Sequence, residues 1–265
     1  MTDFAKRYGP WALIAGASEG IGAAFARTLA ERGLDLALVA RRAGPLAQLE
    51  REIAARAPVR VRSIPLDLGG ADAAARLEQE LADLDVGLLV YNAALAPAGA
   101  LLEIPLEAQL AAIDVNARGP LALVHHFGRR MASRGAGGIV LLSSLTAFQG
   151  SPFVASYGAT KAFLLALAEG LWYELAPRGV DVLAVCAGAT RTPSYLRRRA
   201  PGGAPGELEP DQVAREALAR LGRGPTLIPG RFNRFASQLL RRALSRRAAI
   251  RLMGAQTRRL EKPMG

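Results

Sequence analysis

Short apolar runs alternate with longer amphipathic stretches from Trp11 to about Gly230. "WALIAG", "LDLALVA", "VRVRSIPL", "VGLLVYN", "GGIVLLSS", "GVDVLAVCA" and "PTLIPG" read as strands, several of them apolar on both faces, as in a parallel sheet covered on each side. Between them lie segments such as "GAAFARTLAERG" and "DAAARLEQELADL", whose apolar residues recur at three and four positions and predict helices. The alternation predicts an α/β fold: a single Rossmann-type, doubly wound parallel sheet of about seven strands, flanked by helices and joined by right-handed crossovers. Residues 1–265 are expected to form one domain.

Two stretches depart from this rhythm. "RRRAPGGAPGELEP", residues 197–210, is too rich in Pro and Gly for a regular element and predicts a mobile flap, so 190–210 is the expected substrate lid. From 231 to 265 runs a basic amphipathic helical tail in which Phe232, Phe235, Leu239, Leu240, Ala243 and Leu244 share one face. Arg234, Gln238, Arg241 and Ser245 fall opposite, and Arg246 and Arg247 break the stripe. Such a stripe can pack on its own subunit, join a partner subunit or lie on an anionic membrane, expected in that order.

The net charge of +11 raises the question of a nucleic-acid partner. Ten basic residues follow Gly230 against Glu261 alone, so the excess belongs to the tail and the body is close to neutral. With neither a recognition motif nor aromatic interleaving, no nucleic acid is expected. A single cysteine, Cys186, excludes an intramolecular disulfide, and the first thirty residues lack the apolar core of a signal peptide. A cytoplasmic protein is expected, with no apolar run near the ~20 residues that span a bilayer.

Chemistry is expected at the carboxyl ends of the strands, and the first such turn reads "AGASEGIGAAFA". Gly16, Gly20 and Gly22 permit a tight turn and a close approach of backbone and helix N-terminus to a pyrophosphate. Ser18 and Ile21, within the turn, are counted with them as cofactor-binding. The second strand ends on Ala40 where a carboxylate would select a ribose 2′-hydroxyl; Arg41 and Arg42 follow, and their guanidinium groups suit a 2′-phosphate. NADP(H) is therefore expected over NAD(H), unless both arginines only solvate the start of a helix. Asp67 suits an adenine amino group or the start of the next helical turn.

In "SYGATKA", Tyr157 and Lys161 lie four residues apart in a helical run, so phenol and ammonium share a face. A neighbouring cation favours phenolate and is expected to lower the tyrosine pKa toward the range of a general acid or base. Ser144 ends the strand "GGIVLLSS", where its hydroxyl can reach a substrate carbonyl, while Ser143 faces the other way. Asn92 and Asn116, polar residues in "YNAA" and "DVNARG", are supporting candidates.

Together "GASEGIG", "NAA", "DVN", the serine of "LLSS", "YGATK" and "AGATRT" give residues 10–195 a resemblance to the short-chain dehydrogenase/reductase family. The resemblance implies Tyr157 as general acid/base, Lys161 as the residue that lowers its pKa and binds the nicotinamide ribose, and Ser144 as orienter of the carbonyl or alcohol. It implies Asn116 as holder of a water in a proton relay, Asn92 as support beside the cofactor, and Gly188 and Thr192 as contacts of the nicotinamide end. Ala15, "YNAA" and Ala187 depart from the family's usual threonine, "NNAG" and proline, and touch no proton-transfer residue. The implied activity is NADPH-dependent hydride transfer to or from a carbonyl or alcohol substrate by a homodimer or homotetramer. The alternatives are an NADP(H)-binding sensor or scaffold without turnover, and a membrane-peripheral protein. No metal is expected, since adjacent His125 and His126 point about 100° apart on a helix. Cys186, in an apolar strand, is expected to be inert. Arg191, Arg197, Arg198 and Arg199 are read first as a solvated loop, and otherwise as a lure for an anionic substrate or acyl carrier.

Overall fold

All seven apolar runs become parallel strands of one sheet in the computed structural model, which describes residues 2–198 and 202–258. A short α1 (Asp3–Tyr8) precedes β1 (Trp11–Ala15), α2 (Gly20–Glu31), β2 (Asp35–Ala40), α3 (Ala43–Ala54), β3 (Val61–Pro65), α4 (Ala73–Glu80) and β4 (Val86–Tyr91). The second half continues with α5 (Leu106–Ile113), α6 (Gly119–Arg134), β5 (Gly137–Ser144), α7 (Ala155–Leu175), β6 (Val180–Ala187), α8 (Pro193–Arg198), α9 (Pro210–Arg220) and a two-residue β7 (Thr226–Leu227). The tail forms α10 (Arg231–Ala243) and α11 (Arg246–Thr257). The strand order is β3-β2-β1-β4-β5-β6-β7, every pair parallel.

Side chains alternate across each strand, so β1 feeds two cores. Ala12 and Ile14 pack with Phe25 and Leu29 of α2, Leu46 of α3 and Val213 of α9. Leu13 and Ala15 face the other way, toward Leu77 of α4, Phe127 of α6 and Leu164 of α7. Burial on both faces is why these strands read as continuous apolar runs rather than as alternating ones. Phe25 and Phe127 are both fully buried, and truncating either to alanine would cost about 3–5 kcal/mol.

The chain reverses direction across the sheet between β1 and β4, opening a crevice at their carboxyl ends. Gly16, Asn92, Ser144 and Ala187 lie at or just past the ends of β1, β4, β5 and β6 and line it.

Asp67 begins the turn leading into α4, accepting from the Gly69 N–H at 3.0 Å, which is the second of the two readings given for it. Two expectations need correction. Part of the 197–210 stretch is regular: Arg197 and Arg198 end α8, and Thr190 and Leu208 form a parallel bridge. Polar contacts tie the segment down, with Asn233 Nδ2 donating to the Gly206 carbonyl at 2.9 Å and the Ala204 N–H to Glu207 at 2.7 Å. Arg199 lies outside the described residues, as do Arg259, Glu261 and Lys262 of the tail. Finally, the apolar stripe of the tail packs on its own subunit only in part, with Leu244 half-buried in a groove beside Phe148. Phe232, Phe235, Leu239 and Leu240 are exposed while Asn233 and Ser237, on another face of α10, are buried, because Asn233 holds Gly206.

Candidate active site

The glycine turn leaving β1 is shaped by what a side chain would strike. Gly16 has φ +86°, and a Cβ there would lie 2.5 Å from the Ala93 N. Gly20 has φ +59°, and its Cβ would meet Thr192 Cγ2 at 2.7 Å; at Gly22 it would fall 2.0 Å from the Gly16 carbonyl oxygen. Both positive φ values are accessible to glycine without strain. Asn92 Nδ2 donates to the same Gly16 oxygen at 2.8 Å, fixing the turn to the end of β4. Glu19 provides no side-chain cap to α2, so that helix presents its N-terminus to the crevice.

The crevice holds a cleft of about 440 Å³. Ser18, Gly20, Ile21, Arg41, Arg42 and Asp67 line it together with Gly188, Thr192, Ser144, Tyr157 and Lys161, and Thr192 packs directly against Gly20. Gly22 and Asn116 stand behind the lining, packed against Gly16 and Leu95. A cleft lined by a side-chain-free turn and two guanidinium groups fits the phosphates of a dinucleotide.

Tyr157 and Lys161 lie one turn apart on α7, and β5 delivers Ser144 to the same place. The Lys161 ammonium donates to the Leu142 carbonyl at 2.7 Å and stands 5.5 Å from the centre of the Tyr157 ring. The Ser143 hydroxyl donates to the Lys161 carbonyl at 2.7 Å and locks that turn of helix to the strand, and Ser143, expected to face the other way, lies among the residues lining the cleft. Burial lowers the Lys161 pKa to about 8. The expected lowering of the tyrosine is reversed: burial raises the Tyr157 phenol above its ordinary value, and only its hydrogen bond with Ser144 works the other way. Removing water from an anion outweighs the nearby ammonium, whose charge is itself weakened by burial and directed at a carbonyl.

Asn116 occupies a π-helical turn, Asp114–Arg118, between α5 and α6. Fully buried, it accepts from the Leu95 N–H, donates to the Leu95 carbonyl, both at 2.8 Å, and reaches Thr160 Oγ1 at 3.1 Å. It thus ties the segment after β4 to the residue preceding Lys161.

Three contributors escape inspection of the sequence. Glu19 pairs with Arg42 at 2.7 Å and approaches Arg197 at 3.9 Å, putting a carboxylate among the cations of the cleft. Its position just before Gly20 was the available signal. The Leu142 carbonyl is a backbone partner that no side-chain pattern reveals. The loop between Ser144 and Tyr157 is braced by α11, where Thr257 donates to the Pro152 carbonyl at 2.7 Å and Arg258 lies over the Phe153 ring. Elsewhere, His126 pairs with Glu78 at 2.8 Å while His125 is exposed, and burial raises the Cys186 thiol to about 12.

The sequence pattern of the short chain dehydrogenase family matches residues 10–200. The chain belongs to that family. Among its relatives in the short-chain dehydrogenase family are the 7β-hydroxysteroid dehydrogenases of Clostridium sardiniense, 35% identical over 88% of this chain and 90% of that one, and of Collinsella aerofaciens, 35% identical over 86% and 89%. A solved 7β-hydroxysteroid dehydrogenase structure superposes with TM-score 0.90 at 32% identity, covering 96% of this chain and all of that one. So little of the chain is left unmatched that α10 and α11 cannot both fall outside the alignment. A short-chain dehydrogenase from Sphingobium yanoikuyae in complex with NADPH gives TM-score 0.77 at 33% identity, covering 89% and 97%. The protein is thus an oxidoreductase of a family that uses nicotinamide cofactors.

Proposed function

We propose that the protein is an NADPH-dependent reductase, or dehydrogenase in the reverse direction, acting on a ring ketone or secondary alcohol of a bulky apolar substrate of the hydroxysteroid class. The observation that carries this is the meeting of Ser144, Tyr157 and Lys161 in one cleft with a glycine turn and two arginines.

A nicotinamide cofactor held there supplies or accepts the hydride. Tyr157 gives its phenolic proton to the substrate oxygen in reduction and takes it back in oxidation. Ser144 donates a hydrogen bond to the same oxygen and orients it. Lys161 stabilises the phenolate left after proton transfer, offsetting the burial that otherwise holds Tyr157 protonated. Arg41 and Arg42 bind the 2′-phosphate, Asp67 the adenine, and Gly188 and Thr192 the carboxamide end. Asn92 and Asn116 position the turn and the helix. Residues 1–265 act as one catalytic unit, with 190–210 closing over the substrate.

The steroid class rests on the two 7β-hydroxysteroid dehydrogenase relatives and on the extent of the structural match, which takes in the tail. The test is NADPH oxidation with a panel of oxo-steroids, smaller cyclic ketones and acyl thioesters, repeated with NADH. Oxo-steroid turnover with NADPH preferred, abolished in Tyr157→Phe while NADPH still binds, is the expected result. Equal turnover by Tyr157→Phe would overturn the mechanism, and a preference for acyl thioesters the substrate class.

A further inference from the structure

We propose that α10 and the start of α11 form a docking surface that lies on an anionic lipid bilayer. The starting point is an inversion. A helix at the edge of a domain ordinarily turns its apolar stripe inward. Here Phe232, Phe235 and Leu239 are each more than half exposed, while Asn233 and Ser237 are buried.

The rotation of α10 is held by polar contacts on its inner and lateral faces. Asn233 donates to the Gly206 carbonyl, Arg234 donates to the Ile228 carbonyl at 3.3 Å and pairs with Glu216 at 3.5 Å, and the Arg241 guanidinium stacks 4.3 Å from the Phe148 ring centre. With those anchors in place the stripe must face outward. Arg231 and Arg242 flank the Phe235 edge of the stripe, about 40° and 20° around the helix from Phe235, and are exposed. Arg246, Arg247 and Arg251 continue the basic surface, all exposed. None of these five has a carboxylate partner among the described residues, and no Asp or Glu occurs from 231 to 258.

Charge selects the occupant. A second copy laid on this face would bring two acid-free, arginine-rich surfaces together, and like-charge juxtaposition opposes that. An anionic bilayer is complementary in both respects: phenyl and leucyl groups enter the headgroup boundary, and each arginine at the surface adds about fivefold to partitioning. No helix among the described residues is long and apolar enough to cross a membrane, so the helix lies on the surface rather than spanning it. The inference is independent of the proposed substrate.

The test is co-sedimentation of the full chain with phosphatidylcholine vesicles, with and without one-third phosphatidylglycerol. Binding to the anionic vesicles is expected, at least tenfold weaker to phosphatidylcholine alone and in about 1 M salt. Phe235→Ser/Leu239→Ser should lose at least tenfold in binding at an unchanged melting temperature. Arg242→Gln/Arg246→Gln/Arg247→Gln, confined to exposed positions, should do the same and decides the matter if the serine variant fails to fold. Absence of binding to anionic vesicles by the full chain, or binding that a folded variant leaves unchanged, would overturn the proposal. So would an oligomer, measured by sedimentation velocity without lipid, that the serine variant dissociates while the full chain ignores vesicles; that result would assign the face to a second copy.

Discussion

Lys161 directs its ammonium at the carbonyl of Leu142, 2.7 Å away, while standing 5.5 Å from the centre of the Tyr157 ring. The charge is held in place by the backbone of β5, and burial weakens its hold on the proton.

That relationship gives stability a definite pH dependence. The Lys161 pKa falls from an ordinary 10.5 to about 8 on folding, so between those values the unfolded chain binds the proton and the folded chain does not. Stability from this group therefore rises with pH across that window, is fully present above 10.5, and is lost as pH falls through about 8. Burial of Tyr8, Tyr91 and Tyr157 raises their phenols and acts in the opposite sense at higher pH, so the comparison belongs below about pH 10. Lys161→Met should remove the dependence. Its stability relative to the parent, from urea unfolding, should fall by about 2 kcal/mol between about pH 7 and pH 9.5. Parallel profiles would show that Lys161 is not penalised by burial.

Gly22 is the tightest point of the cofactor turn. A methyl group there would overlap the Gly16 oxygen and crowd Asn92 Nδ2, displacing the hydrogen bond that ties β1 to β4. Gly22→Ala should cost about 2–3 kcal/mol in urea unfolding. It should also weaken NADPH binding, followed by fluorescence, by more than tenfold. Gly33→Ala, with open space around its Cβ but φ +84°, should cost about 1 kcal/mol and leave binding intact. A cost at Gly22 no larger than at Gly33, with binding intact in both, would mean that the contact with the Gly16 oxygen is relieved by a small shift.

What was legible in the sequence is what side-chain periodicity and glycine encode. The strands of a sheet buried on both faces announce themselves as apolar runs, the Gly16–Gly22 turn is marked by residues without side chains, and Tyr157 and Lys161 share a helical face by spacing alone. What was hidden depends on partners distant in sequence or on the backbone. Leu142 holds Lys161 through a carbonyl, so its identity carries no signal. The outward rotation of α10 is decided by Asn233 meeting Gly206, a contact that the stripe on the helix itself does not contain. The sign of the Tyr157 shift was misjudged because spacing reveals a neighbouring charge but not the loss of water around both groups.

Arg41 and Arg42 should divide the recognition of a 2′-phosphate unequally. Arg42 already shares its charge with Glu19, whereas no carboxylate pairs with Arg41 among the described residues. Arg41→Ala should raise the KM for NADPH about tenfold or more, the loss of a charge-assisted hydrogen bond, and barely change that for NADH. Glu19→Gln should release Arg42 and lower the NADPH KM about twofold to fivefold. Steady-state kinetics with both cofactors distinguish these effects, and an equal loss with NADH in Arg41→Ala would remove the phosphate role.

Asn233 joins the tail to the strand ends. Its amide donates to the Gly206 carbonyl and packs so closely on Gly188 that a Cβ there would lie 3.0 Å from Nδ2. Asn233→Ala would leave the part-buried Gly206 carbonyl without its donor and open space beside Gly188, which lines the cleft. A loss of about 1–3 kcal/mol in global stability is expected. Amide hydrogen exchange should accelerate at 204–208 more than at the sheet, because the bond secures that segment rather than the core. If the tail were an independent appendage, exchange at 204–208 would be unchanged. The same variant would then also leave the KM for a bulky ketone where it was, while a coupled tail raises it.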